Sequence, residues 1–202
     1  MPLGCRHSSG CTQPGFAPEC SRSPAVHCQA VSACGLPFFP YLCTMRYKIL
    51  FVCHGNICRS PMAEFVMKKL VRDAGLQHEY EIDSAATSLE EVGNGVYPPA
   101  RSCMRSHGIP FERREARQIT RADYDYYDRI FLMDNNNYAW LSRLMPDLVW
   151  RTPEGWADRD GKVQLLMELA GNPRDVADPW YTGNFERTYL DISHALACFL
   201  AK

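Results

Sequence analysis

Ile49-Leu50-Phe51-Val52-Cys53-His54-Gly55-Asn56-Ile57-Cys58-Arg59-Ser60-Pro61 joins a wholly apolar run to a segment with helical spacing. Consecutive apolar residues suit a strand covered on both faces, as in a parallel sheet. Beyond Pro61, residues Met62, Phe65, Val66 and Leu70 recur on one helical face, and Gly75 ends the pattern. The stretch therefore reads as strand, tight loop and helix N-terminus. Such a loop aims unpaired backbone N–H groups and the positive end of a helix dipole at one place, which makes an anion cradle. Gly55 and Asn56 are residue types that tolerate the left-handed backbone this wrap needs. Cys53 ends the strand inside that field, where the N–H groups and the Arg59 guanidinium favour its thiolate. A thiolate facing a bound oxyanion is a nucleophile.

Outward from this stretch, strand-like and helix-like patterns alternate. Tyr47 to Cys53 is the first strand and Ser60 to Ala74 the first helix, with Pro61 accepted in a first turn whose N–H groups lack intrahelical partners. Tyr80 to Ala86 is a second strand, and Pro99 to His107, stopped by Gly108, a short helix. Thr120-Arg121-Ala122-Asp123 has the form of a capping box opening another helix. Arg129 to Met133 reads as a buried strand, Asp134 caps a helix reaching Leu144, and Lys162 to Leu166 is a short fourth strand. Phe185, Tyr189, Ile192, Leu196 and Phe199 form one apolar stripe on a final helix. The alternation predicts a three-layer, doubly wound α/β fold, with a four-stranded parallel sheet and helices on both faces. Ligands in such folds bind at the carboxyl ends of strands, where Cys53 falls.

Composition narrows the function classes. The 202 residues carry a net charge of −1, which argues against a nucleic-acid binder with its basic stripe. No apolar run approaches the roughly 18 residues needed to span a bilayer, so a membrane protein is not expected. Residues 1–44 differ from the rest: they hold Cys5, Cys11, Cys20, Cys28, Cys34 and Cys43, many Pro, Ser and Gly, and only Arg6, Glu19 and Arg22 as charges. A zinc module would want closely paired cysteines, which the segment lacks. A signal peptide would want an uninterrupted apolar core, yet Pro37 and Pro40 break the apolar stretch. The favoured reading is a disordered extension translated from an upstream start, before a domain over residues 45–202 that begins at Met45. A small disulfide-bonded appendage is the alternative for an exported protein.

The motif Cys-x5-Arg-Ser, from Cys53 to Ser60, resembles the phosphate loop of cysteine-based protein tyrosine phosphatases, and its place near the domain's start resembles the low-molecular-weight class. Asp178-Pro179-Trp180-Tyr181, far downstream, is similar to the Asp-Pro-aromatic element that supplies the general acid in that class. The resemblance covers essentially Met45 to Lys202. It implies Cys53 as nucleophile, Arg59 as phosphate clamp, Asp178 as general acid and base, and His54, Gly55, Asn56, Ile57, Cys58, Arg59 and Ser60 as the phosphate-binding loop. It further implies that Ser60 donates to the Cys53 thiolate, that Asn56 holds the loop with Ser84 nearby, and that Cys58 forms a reversible disulfide with Cys53. The last pairing competes with a plain packing role for Cys58. Asp175 is a weaker candidate for the acid, and Cys103 and Cys198 read as core residues.

The expected reaction is hydrolysis of a phosphotyrosine-bearing protein, or a small aryl phosphate, through a phosphocysteine intermediate in a cytoplasmic enzyme. It calls for no cofactor and no metal, and the core sequence shows no metal-ligand cluster. Trp180 and Tyr181 would form one wall around the substrate ring. Ile57 resembles the tyrosine-directed members, whereas phosphoarginine-directed relatives tend to carry Thr there. Arsenate reduction needs a close mid-chain cysteine pair, and Cys103 stands alone. A non-catalytic phosphate-binding or thiol-redox regulator is the reading from a different class, and Asp178 argues against it. The chain departs from the family pattern twice: Ser88-Leu89-Glu90-Glu91 puts acids where an aromatic wall is common, and Arg114 stands where a His is common.

Overall fold

The computed structural model describes residues 46–201; the extension expected over residues 1–44 lies outside the described residues. Strand β1 (Tyr47–Cys53) leads through the Cys53–Ser60 loop into helix α1 (Arg59–Asp73), and β2 (Tyr80–Ala86) returns beside β1. Then follow α2 (Pro98–Ser106), α3 (Arg121–Tyr126), β3 (Arg129–Leu132) and α4 (Asn135–Leu144). A hairpin of β4 (Val149–Thr152) and β5 (Gly155–Asp158) precedes β6 (Val163–Leu165), α5 (Pro179–Thr182) and α6 (Phe185–Leu200). The main sheet has the order β2-β1-β3-β6, and every pairing in it is parallel.

Both faces of this sheet are covered, as the unbroken apolar run of β1 requires. Ile49, Phe51, Ile82 and Phe131 point toward α1, α2 and α6, where Met62, Val66, Met104, Ile192 and Leu196 meet them. Leu50, Val52, Ile130 and Leu132 point the other way, onto Tyr124 of α3 and Tyr138 and Leu141 of α4. Full burial of such side chains contributes about 1.5–3 kcal/mol each, so this two-sided core is what fixes the strand register. The expected stripe of α6 is seated as read: Ile192 and Leu196 are fully buried, and Phe185, Tyr189 and Phe199 pack against the same cluster.

Local signals also act as expected. Thr120 accepts from the Asp123 N–H while the Asp123 carboxylate accepts from the Thr120 N–H, closing the capping box of α3. Asp134 caps α4 in the same manner with Asn137. The expected fourth strand is shorter than its apolar run, because Leu166–Ala170 coils into a 3-10 turn ended by Gly171 at φ 68°. The β4–β5 hairpin was not legible. Its strands are four residues long and mostly half-exposed, so they carry no clean alternation. The hairpin is held by tertiary packing instead, with Trp156 stacked on Tyr138 at 5.5 Å between ring centroids.

The chain passes from β1 to β2 on one side and then to β3 on the other, so strand order reverses next to β1. The carboxyl ends of β1 and β3 bracket that crevice, and Cys53 and Asp134 stand there.

Candidate active site

At the end of β1 the backbone must turn out of the sheet and into α1 within a few residues. Asn56 takes the strain, with φ 57°, the one non-glycine residue at positive φ among the described residues. Gly55 does not adopt such a conformation; it is needed for space, since a Cβ there would stand 3.0 Å from Cγ of Glu91. That corrects the expectation that both residues serve the left-handed turn.

A non-glycine residue in this conformation costs about 1–3 kcal/mol and persists only where its surroundings hold it. Here the hold is a buried polar network. The Asn56 amide donates to Ser60 Oγ at 2.8 Å and to Ser84 Oγ at 2.9 Å, while its Oδ1 accepts from Arg114 at 2.6 Å. Ser84 Oγ donates to Glu64 Oε2 at 2.7 Å, and Arg114 bonds both Glu64 and Ser84. Glu64 is only 3% exposed, and Lys68 at 2.6 Å is its other cation. Arg114 therefore braces the loop directly. It presents a fixed fork of donors to Asn56, Glu64 and Ser84.

The network ends on the thiol. Cys53 Sγ lies 3.0 Å from Ser60 Oγ and accepts the Asn56 N–H at 3.3 Å. It forms part of the floor of a pocket of about 150 Å³ that also presents His54, Gly55, Ile57, Cys58, Arg59, Asp178, Trp180 and Tyr181. Most of the expected site residues thus converge on one cavity. Asn56 and Ser60 do not line it; their side chains are buried behind the loop, 1% and 0% exposed, where they hold it. His54 turns its ring aside, with Nε2 3.1 Å from Glu90 and the ring 5.4 Å from that of Trp140.

Arg59 is almost fully buried and lies between two carboxylates, with one terminal nitrogen 2.5 Å from Asp134 and the other 2.5 Å from Asp178. Burial opposes its charge, yet the Cys53 sulfur and these two carboxylates together raise its pKa above the ordinary guanidinium value. Asp134 as a partner of Arg59 was missed, because its capping role accounted for it. The signal that could have found it is its position at the carboxyl end of β3, across the crevice from Cys53. Burial pushes the Cys58 thiol up to about 12, with the nearby Cys53 sulfur adding to the effect, so Cys58 is neutral at physiological pH.

Asp178 reaches the pocket from the N-cap of α5, where its Oδ1 also accepts the Trp180 N–H at 3.0 Å. Asp175 is occupied elsewhere, accepting from Asn135 of α4 at 2.9 and 3.0 Å. Trp180, Tyr181, Glu90 and Glu91 all line the pocket. Cys103 is buried, but Cys198 is half-exposed with its sulfur 3.8 Å from His194, so it is not the core residue expected. Cys103, His107 and Glu186 bring three potential metal-ligand atoms within 4.8 Å of one another, which the sequence did not disclose because α2 and α6 meet only in the fold. Within that group His107 bonds Glu186 at 2.8 Å and stacks on Tyr189. No helix among the described residues is long and apolar enough to cross a membrane.

The whole arrangement is similar to known proteins over the entire described domain. A family model described as low molecular weight phosphotyrosine protein phosphatase matches residues 48–202. The low molecular weight phosphotyrosine protein phosphatase of Homo sapiens is 39% identical over 158 residues, covering 77% of this chain and 94% of its own length. The crystal structure of YfkJ from Bacillus subtilis superposes with a TM-score of 0.69 at 32% identity, over 77% of this chain and 93% of that one. A Drosophila arginine phosphatase superposes with a TM-score of 0.66 at 33% identity, over 76% and 96%.

Proposed function

Because the chain belongs to the low molecular weight phosphotyrosine protein phosphatase family and is thereby a phosphoric monoester hydrolase, we propose that it cleaves phosphotyrosine through a covalent intermediate on Cys53. The observation that carries this reading is one cavity in which Cys53 Sγ, the Arg59 guanidinium and the Asp178 carboxylate converge, with Ser60 Oγ and the Asn56 N–H on the sulfur.

The phosphoryl group of the substrate enters the loop, and its oxygens take over the Arg59 nitrogen that Asp178 holds at 2.5 Å. Asp134 keeps the other nitrogen in place, so the guanidinium stays oriented for two equatorial oxygens. Asp178, released from the ion pair, takes up a proton from solvent and delivers it to the leaving phenol oxygen. The Cys53 sulfur attacks phosphorus, the P–O bond breaks, and a phosphocysteine forms. Asp178, now a carboxylate, takes a proton from water, which attacks phosphorus and returns the thiolate with release of phosphate.

The same site has a redox side. Peroxide oxidises the Cys53 thiolate to a sulfenic acid, and the neighbouring Cys58 thiol displaces water to form a disulfide, which a dithiol reductant reopens. The four cysteines among the described residues are free thiols. A thiol nucleophile persists in a reducing compartment, and the proposed location is accordingly the cytoplasm. Likeness to an arginine phosphatase supports phosphoarginine as a second substrate reading, against which Ile57 in the pocket is the opposing feature.

Steady-state hydrolysis of an aryl phosphate by the full chain, in reducing buffer without metal, tests the mechanism. Vanadate-sensitive turnover is expected in the wild type, lost in Cys53→Ser and strongly reduced in Asp178→Ala. A wild type that binds phosphate without turning over the ester overturns it. A matched phosphoarginine substrate separates the two substrate readings.

A further inference from the structure

The floor of the pocket is built for an anion, but its mouth has the opposite character. Glu90, Glu91, Trp180 and Tyr181 all line it. The Glu91 carboxylate is steadied by Asn94 at 2.8 Å, with its stem packed against Gly55. The Glu90 side chain is 68% exposed, while Trp180 and Tyr181 are 54% and 86% exposed. The Arg59 charge does not offset these acids at the surface, being 3% exposed and engaged by Asp134 and Asp178.

Exposed carboxylates and exposed aromatic faces are the two kinds of group that hold a guanidinium or ammonium, by charge-assisted hydrogen bonds and by cation–π attraction. An acidic segment brought to the same place would meet the like charges of Glu90 and Glu91, of which Glu90 is bonded to His54 at 3.1 Å and Glu91 shares the adjoining cleft with Arg101. We propose that this rim selects phosphotyrosine segments flanked by arginine or lysine and discriminates against acidic flanks, with Glu90 the main specificity determinant. The proposal rests on the phosphatase reading for its substrate and adds the class of sequence around the phosphotyrosine.

An exposed ion pair changes an equilibrium by roughly 1.5- to 5-fold, so a basic residue on each side of the phosphotyrosine is worth about 2- to 25-fold. The test compares two phosphotyrosine peptides that differ only in Arg or Glu at the flanking positions. Two readouts are taken: kcat/KM with the full chain, and Kd with the Cys53→Ser full chain by fluorescence anisotropy. The basic peptide is expected to win by about 2- to 25-fold in both at low ionic strength, with the gap narrowing as salt screens it. In Glu90→Lys, with each value normalised to that variant's aryl phosphate turnover, the preference is expected to vanish or invert. Peptides equal within about twofold, a preference for the acidic one, or a preference that survives Glu90→Lys would overturn the assignment. Failure of the wild type to hydrolyse the small aryl phosphate sinks the phosphatase reading instead, and the Kd ratio then still decides the rim.

Discussion

Replacing Arg114 by alanine should cost both stability and catalysis, because one side chain holds a buried carboxylate and the strained turn of the loop. The Arg114 and Glu64 side chains are 13% and 5% exposed. Removing one partner of a buried ion pair costs about 3–5 kcal/mol when the other is left uncompensated. Glu64 would keep Lys68 at 2.6 Å and Ser84 Oγ at 2.7 Å, so the expected loss is nearer 2–3 kcal/mol by the same reasoning. For a domain of this size each kcal/mol shifts Tm by roughly 2–4 °C, giving a fall of about 4–12 °C. Asn56 would meanwhile lose its charged donor at 2.6 Å and retain only the weaker Arg117 N–H at 3.3 Å on that oxygen. A hydrogen bond to a charged group is worth about 1.5–3 kcal/mol; if half of that positions the loop in the transition state, kcat falls by about 3- to 10-fold. Thermal melts and aryl phosphate kinetics on wild type, Arg114→Ala, Glu64→Gln and the double variant make the assay. A coupling energy of about 1–3 kcal/mol is expected from that cycle, with Arg114→Lys recovering part of the Tm. Additive effects within about 0.5 kcal/mol, together with unchanged kcat in Arg114→Ala, would refute the bracing role.

Asp178→Ala should lower kcat for a poor leaving group by about 10²- to 10⁴-fold, and less for a phenol acidic enough to leave unaided; equal losses on both would exclude a proton-donating role. Alkylation by iodoacetamide near neutral pH should leave Cys58 unmodified, since its thiol is pushed up to about 12 by burial, and peptide mapping that finds Cys58 labelled as fast as Cys53 would contradict this. Although burial opposes it, hydrogen bonds from Arg117 and Thr120 hold the Asp123 carboxyl below its ordinary value of 3.8. A group depressed in this way stabilises the fold above its unfolded pKa and loses that contribution as pH falls toward the folded one. Asp123→Asn should therefore lower Tm at pH 6 by more than it does on acidification below pH 4; with this partly exposed carboxylate the difference at pH 6 is at most about 1 kcal/mol, and a gap that widens on acidification would refute the assignment.

The strand–loop–helix unit around Cys53 and the parallel α/β class of the fold were legible in the residues because each depends on local signals. An apolar run ending in Cys53, a loop with Asn56 and a helical stripe behind it need no distant partner to be recognised. The hairpin β4–β5 was not legible, since its stability comes from Trp156 lying on Tyr138 rather than from alternation along its own strands. Asp134 showed the same limit in the site itself. As a helix cap it was visible; as the carboxylate that orients Arg59 it was not, because the two are 75 positions apart and meet only where β1 and β3 end side by side.

From its sequence alone this chain determined that a cysteine would stand at a strand end facing an anion cradle, because backbone geometry over about ten residues makes that site. Tertiary structure alone decided how the cradle is held and what surrounds it. Arg114, Glu64 and Ser84 come from separate elements to secure Asn56 at φ 57°, and Glu90 and Glu91 line the same pocket as Trp180 and Tyr181. The physical reason is that charge pairing and burial depend on distance in space, which sequence spacing reports only within a single turn or strand.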